Sequence, residues 1–191
     1  VGLAFLSICA FWQMYDNIVP LILTKTFHMN ETFSGAIMAA DNILALFLLP
    51  FFGSVSDKSH SKLGKRMPFI LFGTGCAIIL MNILPLLDNS YAAQPSGFKT
   101  ASFVIVLGLL LVAMGTYRAP AVALMPDVTP KPLRSRANAI INLMGAVGGI
   151  LYLGVAAVLY PNSKTAGLDH VNYQPLFIVV SAIMFVAVAV L

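Results

Sequence analysis

Six stretches of this chain run on for about the length that crosses a bilayer with almost no charge in them. They cover residues 2–25, 35–56, 67–87, 102–126, 137–160 and 175–191. A hydrocarbon core of about 30 Å takes roughly 20 apolar residues in a helix. The runs are continuous rather than alternating apolar with polar, which disfavours a β-barrel. In lipid every backbone N–H and C=O must find its partner within the protein, so the chain is expected to form a bundle of six membrane helices. The fold class is all-α membrane protein. Composition agrees: 59% of residues are hydrophobic and 9% charged, against about 25% charged in soluble domains. Soluble, disordered and disulfide-scaffold classes are thereby excluded.

The connectors orient the bundle. Those at 56–66 and 127–136 hold Lys58, Lys62, Lys65, Arg66, Lys131, Arg134 and Arg136, whereas the opposite side holds Lys25, Lys99 and Lys164. This bias places both basic connectors, and the N-terminus with them, in the cytoplasm, as in a multi-pass protein of the cell (plasma or inner) membrane. The same bias accounts for the net charge of +4 without nucleic acid as a partner. Cys9 and Cys76 sit in apolar runs as small hydrophobes, and His28, His60 and His170 are loop residues without metal spacing. Nothing calls for a cofactor or metal. The chain starts at Val1 without an initiator Met and stops inside an apolar run at Leu191, which reads as a piece of a longer protein.

Ionisable groups at membrane depth are costly and functional by default. Asp16, Asp41 and Arg118 are the three here. At 1.5 Å per residue, Asp16 lies about 3 Å and Asp41 about 7 Å to the outer side of the midplane, with Arg118 about 6 Å to the inner side. They are the candidates for holding a coupling ion. Arg118 either tunes Asp16 or forms a structural pair with it, and Asp41 has no obvious basic partner on an adjacent run.

Polar neighbours accompany them. Gln13, Asp16, Asn17 and Pro20 fall on one stripe of the first helix, flanked by Trp12 and Tyr15. Asn42 adjoins Asp41, and Tyr117 adjoins Arg118. In the fifth helix Asn138, Asn142, Gly145, Gly149 and Tyr152 make another stripe of small and polar residues. Asn138 and Asn142 serve either as ligand contacts or as glue between helices, and Gly145 with Gly149 reads as close packing. Inward-facing amides, Trp and Tyr suit a polyhydroxylated ligand, which offers hydroxyls to bond and an apolar ring face to stack. Trp12, Gln13, Tyr15, Asn17, Asn42, Tyr117, Asn138 and Asn142 are therefore the candidate substrate contacts.

The connector Gly53-x-x-x-Asp57 through Gly64-Lys65-Arg66 resembles the signature of the major facilitator superfamily between its second and third helices. The flanking Pro50, Ser56, Lys58 and Met67-Pro68-Phe69-Ile70, with Pro120-x-x-Ala123-Leu124-x-Pro126-Asp127 and Arg134-x-Arg136-Ala137-Asn138-Ala139, resemble one branch: the glycoside–pentoside–hexuronide:cation symporters and sucrose:proton symporter-like carriers. The resemblance implies the N-terminal half of a twelve-helix carrier, working with a C-terminal six-helix half of the same polypeptide, as a monomer. It implies symport of a sugar or glycoside with H⁺ or Na⁺ by alternating access. It also implies a cytoplasmic gate made of Gly53, Asp57, Gly64, Lys65, Arg66, Asp127, Arg134 and Arg136, in which Gly53 admits a close helix approach, Gly64 permits a turn and Arg66 reaches Asp127.

Departures from the branch are informative. Plant sucrose carriers have a proton-binding acid nine residues before the proline matching Pro120, where this chain has Leu111. Melibiose-type carriers place a second acid one turn beyond the first on helix two, where this chain has Ala45. Coupling is therefore expected to rest on Asp16 and Asp41. A proton-coupled antiporter for drugs or small amphiphiles is the rival on the same scaffold, disfavoured by the missing Gly-Pro pair in the fifth helix. A non-transporting receptor or assembly protein is the rival of another class. An enzyme is disfavoured, because neither His-Glu-x-x-His nor Gly-x-Ser-x-Gly is present.

Overall fold

The computed structural model describes residues 1–61 and 64–191, apart from the side chain of Asn162. Lys62 and Leu63 of the basic connector lie outside the described residues. Six long helices follow one another: α1 (Gly2–Leu21), α2 (Glu31–Asp57), α3 (Met67–Ala93), α4 (Gly97–Val128), α5 (Arg134–Leu159) and α6 (Gln174–Ala189). α1 continues into a π-helical turn at Ile22–Thr26 just after Pro20. Pro20 lacks the N–H of a regular turn. The Thr24 hydroxyl donates to the Pro20 carbonyl at 2.8 Å.

Four helices reach further than the apolar runs. α2 starts at Glu31, α3 runs to Ala93, α4 starts at Gly97 and α5 at Arg134, so the interval of 88–101 between the third and fourth apolar runs shrinks to a turn of three residues. Hydropathy marks where the hydrocarbon ends, and a helix continues into water wherever its terminus is satisfied. At the start of α2 the Asn30 side chain accepts from Thr32 N at 3.2 Å and Glu31 sits in the positive first turn.

α1 to α5 are each long and apolar enough to cross a membrane; α6 is apolar with 16 residues. α1 packs along α5, α3 along α4, and α6 closes against α3 and α1, while α2 rests on α4. Lipid offers helices no hydrophobic drive toward one another, so close backbone contact must hold them. The tightest case is Gly148 of α5: a Cβ there would collide with the Leu6 carbonyl of α1. Around this seam the core is aromatic and sulfur-rich, with Phe11, Met14, Tyr15, Met81, Phe103, Tyr117, Tyr152 and Phe177 all fully buried. α2 is peripheral. Only 6% of its apolar window is buried, against 61% for α1. Ile43, Leu46, Phe47 and Phe51 of α2 are exposed, as residues facing lipid or a further protein layer are.

Candidate functional site: a polar wall at membrane depth and a latch at the helix ends

On α1 the 100° step between residues places Trp12, Asp16, Gln13 and Asn17, in that angular order, on an arc of about 140°. Gln13, Asp16 and Asn17 are exposed and Trp12 is half-buried. The Asn17 amide donates to the Gln13 carbonyl at 2.6 Å. The two edges of this arc look into different grooves. One, of about 410 Å³, lies between α1 and α5 and is lined by Cys9, Gln13, Asn142, Gly145 and Gly149. The other is a narrow crevice between α1, α2 and α4, lined by Trp12, Asp41, Ala45, Leu111, Gly115 and Arg118.

Asp41 is 7% exposed and, among the described residues, its Oδ1 has no hydrogen-bond partner. Arg118 is its basic neighbour across the crevice, contrary to the expectation that Asp41 has none. The two are not locked together. The Arg118 guanidinium lies over the Trp12 indole, 5.5 Å from the ring centroid. Among the described residues it makes no ion pair with Asp41 or with Asp16. Of the two roles expected of Arg118 toward Asp16, the structural pair is absent among the described residues, and Asp16 is exposed on the open face of α1. Trp12 is held edge-on between Phe11 at 5.3 Å and Tyr15 at 5.4 Å, an arrangement that fixes the ring plane. Its Nε1–H has no partner among the described residues.

The remaining candidates divide. Asn42, Asn138 and Asn142 are exposed, with Asn142 in the α1/α5 groove. Tyr15 is 1% exposed and acts as a wall behind Trp12. Tyr117 is removed from the polar wall altogether. It is 0% exposed, and its hydroxyl meets Ser7 Oγ at 2.8 Å and donates to the Ala4 carbonyl at 3.2 Å, so its polar end is spent on joining α4 to α1. Adjacent helix positions differ by 100°, so the neighbour of a cavity residue is commonly a core residue. Tyr152, expected on the polar stripe of α5, is likewise in the core at 2% exposed.

At the other cluster the local sequence builds a turn around one arginine. Gly64 has φ +99°, a left-handed geometry that glycine adopts without strain, and the chain then enters α3 through Arg66. Arg66 is 8% exposed. Its Nη2 pairs with Asp57 Oδ1 at 2.8 Å, its Nε donates to Asp127 Oδ2, and its Nη1 donates to Ser56 Oγ at 3.2 Å. The ends of α2, α3 and α4 are therefore tied at one guanidinium, whose planar fork suits several oxygens at once. Ser56 was not among the sequence candidates; its position beside Asp57 was the available signal. Arg134 reaches back to the Pro126 and Thr129 carbonyls at 2.9 and 3.3 Å, while Lys65 and Arg136 are exposed. Gly53 does not admit a close approach among the described residues: a Cβ there would meet none of them within 4 Å.

Residues 1–191 match the sequence profile of the Major Facilitator Superfamily. The chain belongs to that superfamily. Within it, the chain is similar to the sucrose transport protein SUC3 of Arabidopsis thaliana, 35% identical over 145 residues that cover 70% of this chain and 24% of that protein. It is also similar to the sucrose transport protein SUT3 of Oryza sativa subsp. indica, 36% identical over 57% of this chain and 24% of that protein. The sucrose transport protein SUT4 of the same rice is 30% identical over 66% of this chain and 23% of that protein. The chain spans about a quarter of the length of these relatives. No solved structure matches it at a significant level. The superfamily member is a multi-pass membrane protein, one half of a twelve-helix fold.

Proposed function

We propose that this bundle is the N-terminal half of a secondary active transporter that moves a sugar or glycoside together with H⁺ by alternating access, with its N-terminus and its Arg66 latch in the cytoplasm. One observation carries the reading: Asp41 is buried with an unbonded carboxylate oxygen beside an arginine that rests on an indole instead of on the acid. A purely structural acid at membrane depth is held in a pair; this one has a basic partner within electrostatic reach and leaves it free.

The proposed coupling follows from that geometry. With a proton on Asp41, Arg118 has no counter-charge to seek there and stays on the Trp12 indole, with its remaining N–H donors available to a sugar bound against the open face of α1. Once the proton leaves, the carboxylate recruits Arg118 and the sugar loses a charge-assisted donor. Such a hydrogen bond contributes about 1.5–3 kcal/mol, so sugar affinity would fall by roughly 10- to 150-fold. Gln13, Asn17 and Asn142 provide further amide contacts from α1 and α5. A sugar bound near the midplane needs an opposite wall, which the C-terminal half would provide.

Leu111 supports the assignment of Asp41. It occupies the place on α4 where the resemblance to sucrose carriers puts a proton-binding acid, and it lines the same crevice as Asp41 and Arg118. An acid arriving from α2 would reach the space that an acid on α4 would fill. The test is sugar uptake into vesicles by the full-length protein: Leu111→Glu combined with Asp41→Asn should restore part of the pH-gradient-driven accumulation that Asp41→Asn alone removes. If Asp41→Asn removes no accumulation, the reading is wrong.

A further inference from the structure

At the end of the bundle remote from Arg66, Asp88 of α3 is 0% exposed, and among the described residues neither of its carboxylate oxygens has a hydrogen-bond partner of good geometry. A bare carboxylate in such a place is costly unless a proton or a cation is shared with it. Thr26 from the π-helical turn and His170 from the connector between α5 and α6 face it. His170 Nδ1 stands 3.9 Å from Asp88 Oδ2 and 3.2 Å from Thr26 Oγ1. The other ring nitrogen, Nε2, is 2.9 Å from Asn89 Oδ1. The Asn89 amide in turn donates to Asn172 Oδ1 at 2.9 Å, so Nε2 is read as a donor from the network. The Tyr160 hydroxyl donates to the Asn172 carbonyl at 2.8 Å. Burial and then the Asp88 charge push the Tyr173 phenol up from its ordinary value. One polar cluster thus pins the connector from Tyr160 to Tyr173 onto α1 and α3.

We propose that Asp88 and His170 form a second proton-binding site, in which a single shared proton fastens the connector to the ends of α1 and α3. With the proton on the ring, Nδ1–H faces the carboxylate and Thr26. With the proton on Asp88, the Thr26 hydroxyl donates to Nδ1. Either arrangement is neutral as a unit. Loss of the proton leaves a bare carboxylate against a neutral ring. The surrounding charges do not replace it: Lys25, His28 and Asp169 line a separate surface groove, and Lys99 Nζ is spent on the Ser90 and Gln94 carbonyls at 2.7 and 3.0 Å. This site is remote from the Asp41 crevice, and it stands or falls independently of what Asp41 does.

The sign of the pH effect follows by linkage. In water a carboxylate and an imidazole titrate near 4 and 6.5. Opening the connector exposes the cluster to water and releases the shared proton, so raising the pH favours opening by up to tenfold per unit. The experiment is hydrogen–deuterium exchange on the full-length protein in lipid nanodiscs, following peptides over residues 161–173 from roughly pH 5.5 to 9 and correcting for the intrinsic exchange rate. Corrected exchange in the wild type should rise up to tenfold per unit above about pH 6.5. Asp88→Asn, neutral at every pH, should flatten that rise. His170→Gln should bring fast exchange already at the acidic end. A corrected rate that ignores pH in the wild type, or a slope unchanged in Asp88→Asn, overturns the proposal. Should Asp88→Asn fail to fold, the wild-type slope and His170→Gln decide it.

Discussion

Arg66 and Arg118 both stand among acids, and the contrast between them separates two uses of charge in one bundle. Arg66 is 8% exposed and satisfied by Asp57, Asp127 and Ser56, so every part of its fork is engaged. Arg118 is half-buried, makes no ion pair with Asp41 or Asp16 among the described residues, and rests on Trp12. A satisfied charge holds helix ends in one arrangement and must be broken for them to part. An unsatisfied pair is poised: small changes in protonation move it. The lesson is that a paired charge ties helix ends together, whereas an unpaired acid and base leave room for the exchange proposed above.

Three perturbations sharpen that contrast, taken from the largest expected effect downward. Arg118→Ala should weaken sugar binding by roughly 10- to 150-fold, the loss of a charge-assisted bond of about 1.5–3 kcal/mol, and should barely shift the thermal midpoint in detergent. Binding by calorimetry and unfolding by thermal scan check both halves; a large stability loss would mean that Arg118 is structural. Arg66→Ala should do the reverse. It leaves Asp57 and Asp127 facing each other without their cation and should cost about 2 kcal/mol of stability, below the 3–5 of a fully buried pair because both acids are about half exposed. Sugar affinity should stay within about twofold, a shift no larger than that of an ordinary remote substitution. Asp57→Asn should be the mildest, at about 0–1 kcal/mol, since that acid is 60% exposed and water replaces much of what it loses.

The two regions also differed in how legible they were. The latch was visible because its parts share one short connector and one helix end: Gly64, Lys65 and Arg66 follow Asp57 closely, and Pro126-Asp127 closes α4. The polar arc of α1 was visible from spacing alone, because a stripe on an apolar helix needs no knowledge of its neighbours. Which face each neighbour packs against was not. Tyr117 adjoins Arg118 in sequence but turns into the α1 seam, and Gly53 meets open space while Gly148 takes the tight contact. Arg118 was assigned to Asp16 because both depths were known and the helix order around the bundle was not. The Asp88–His170 cluster was hidden for a related reason, since its members come from α3 and a connector more than eighty residues later that doubles back over it.

The central claim is that Asp41 picks up and releases the coupling proton while Arg118 reports its state to the sugar. The direct measurement compares net accumulation with sugar exchange in proteoliposomes holding full-length wild-type protein or Asp41→Asn. The account predicts that the variant loses accumulation driven by a pH gradient, yet still exchanges labelled sugar across the membrane, because a permanently neutral side chain mimics the proton-loaded acid. Undiminished accumulation by the variant at every pH would contradict it.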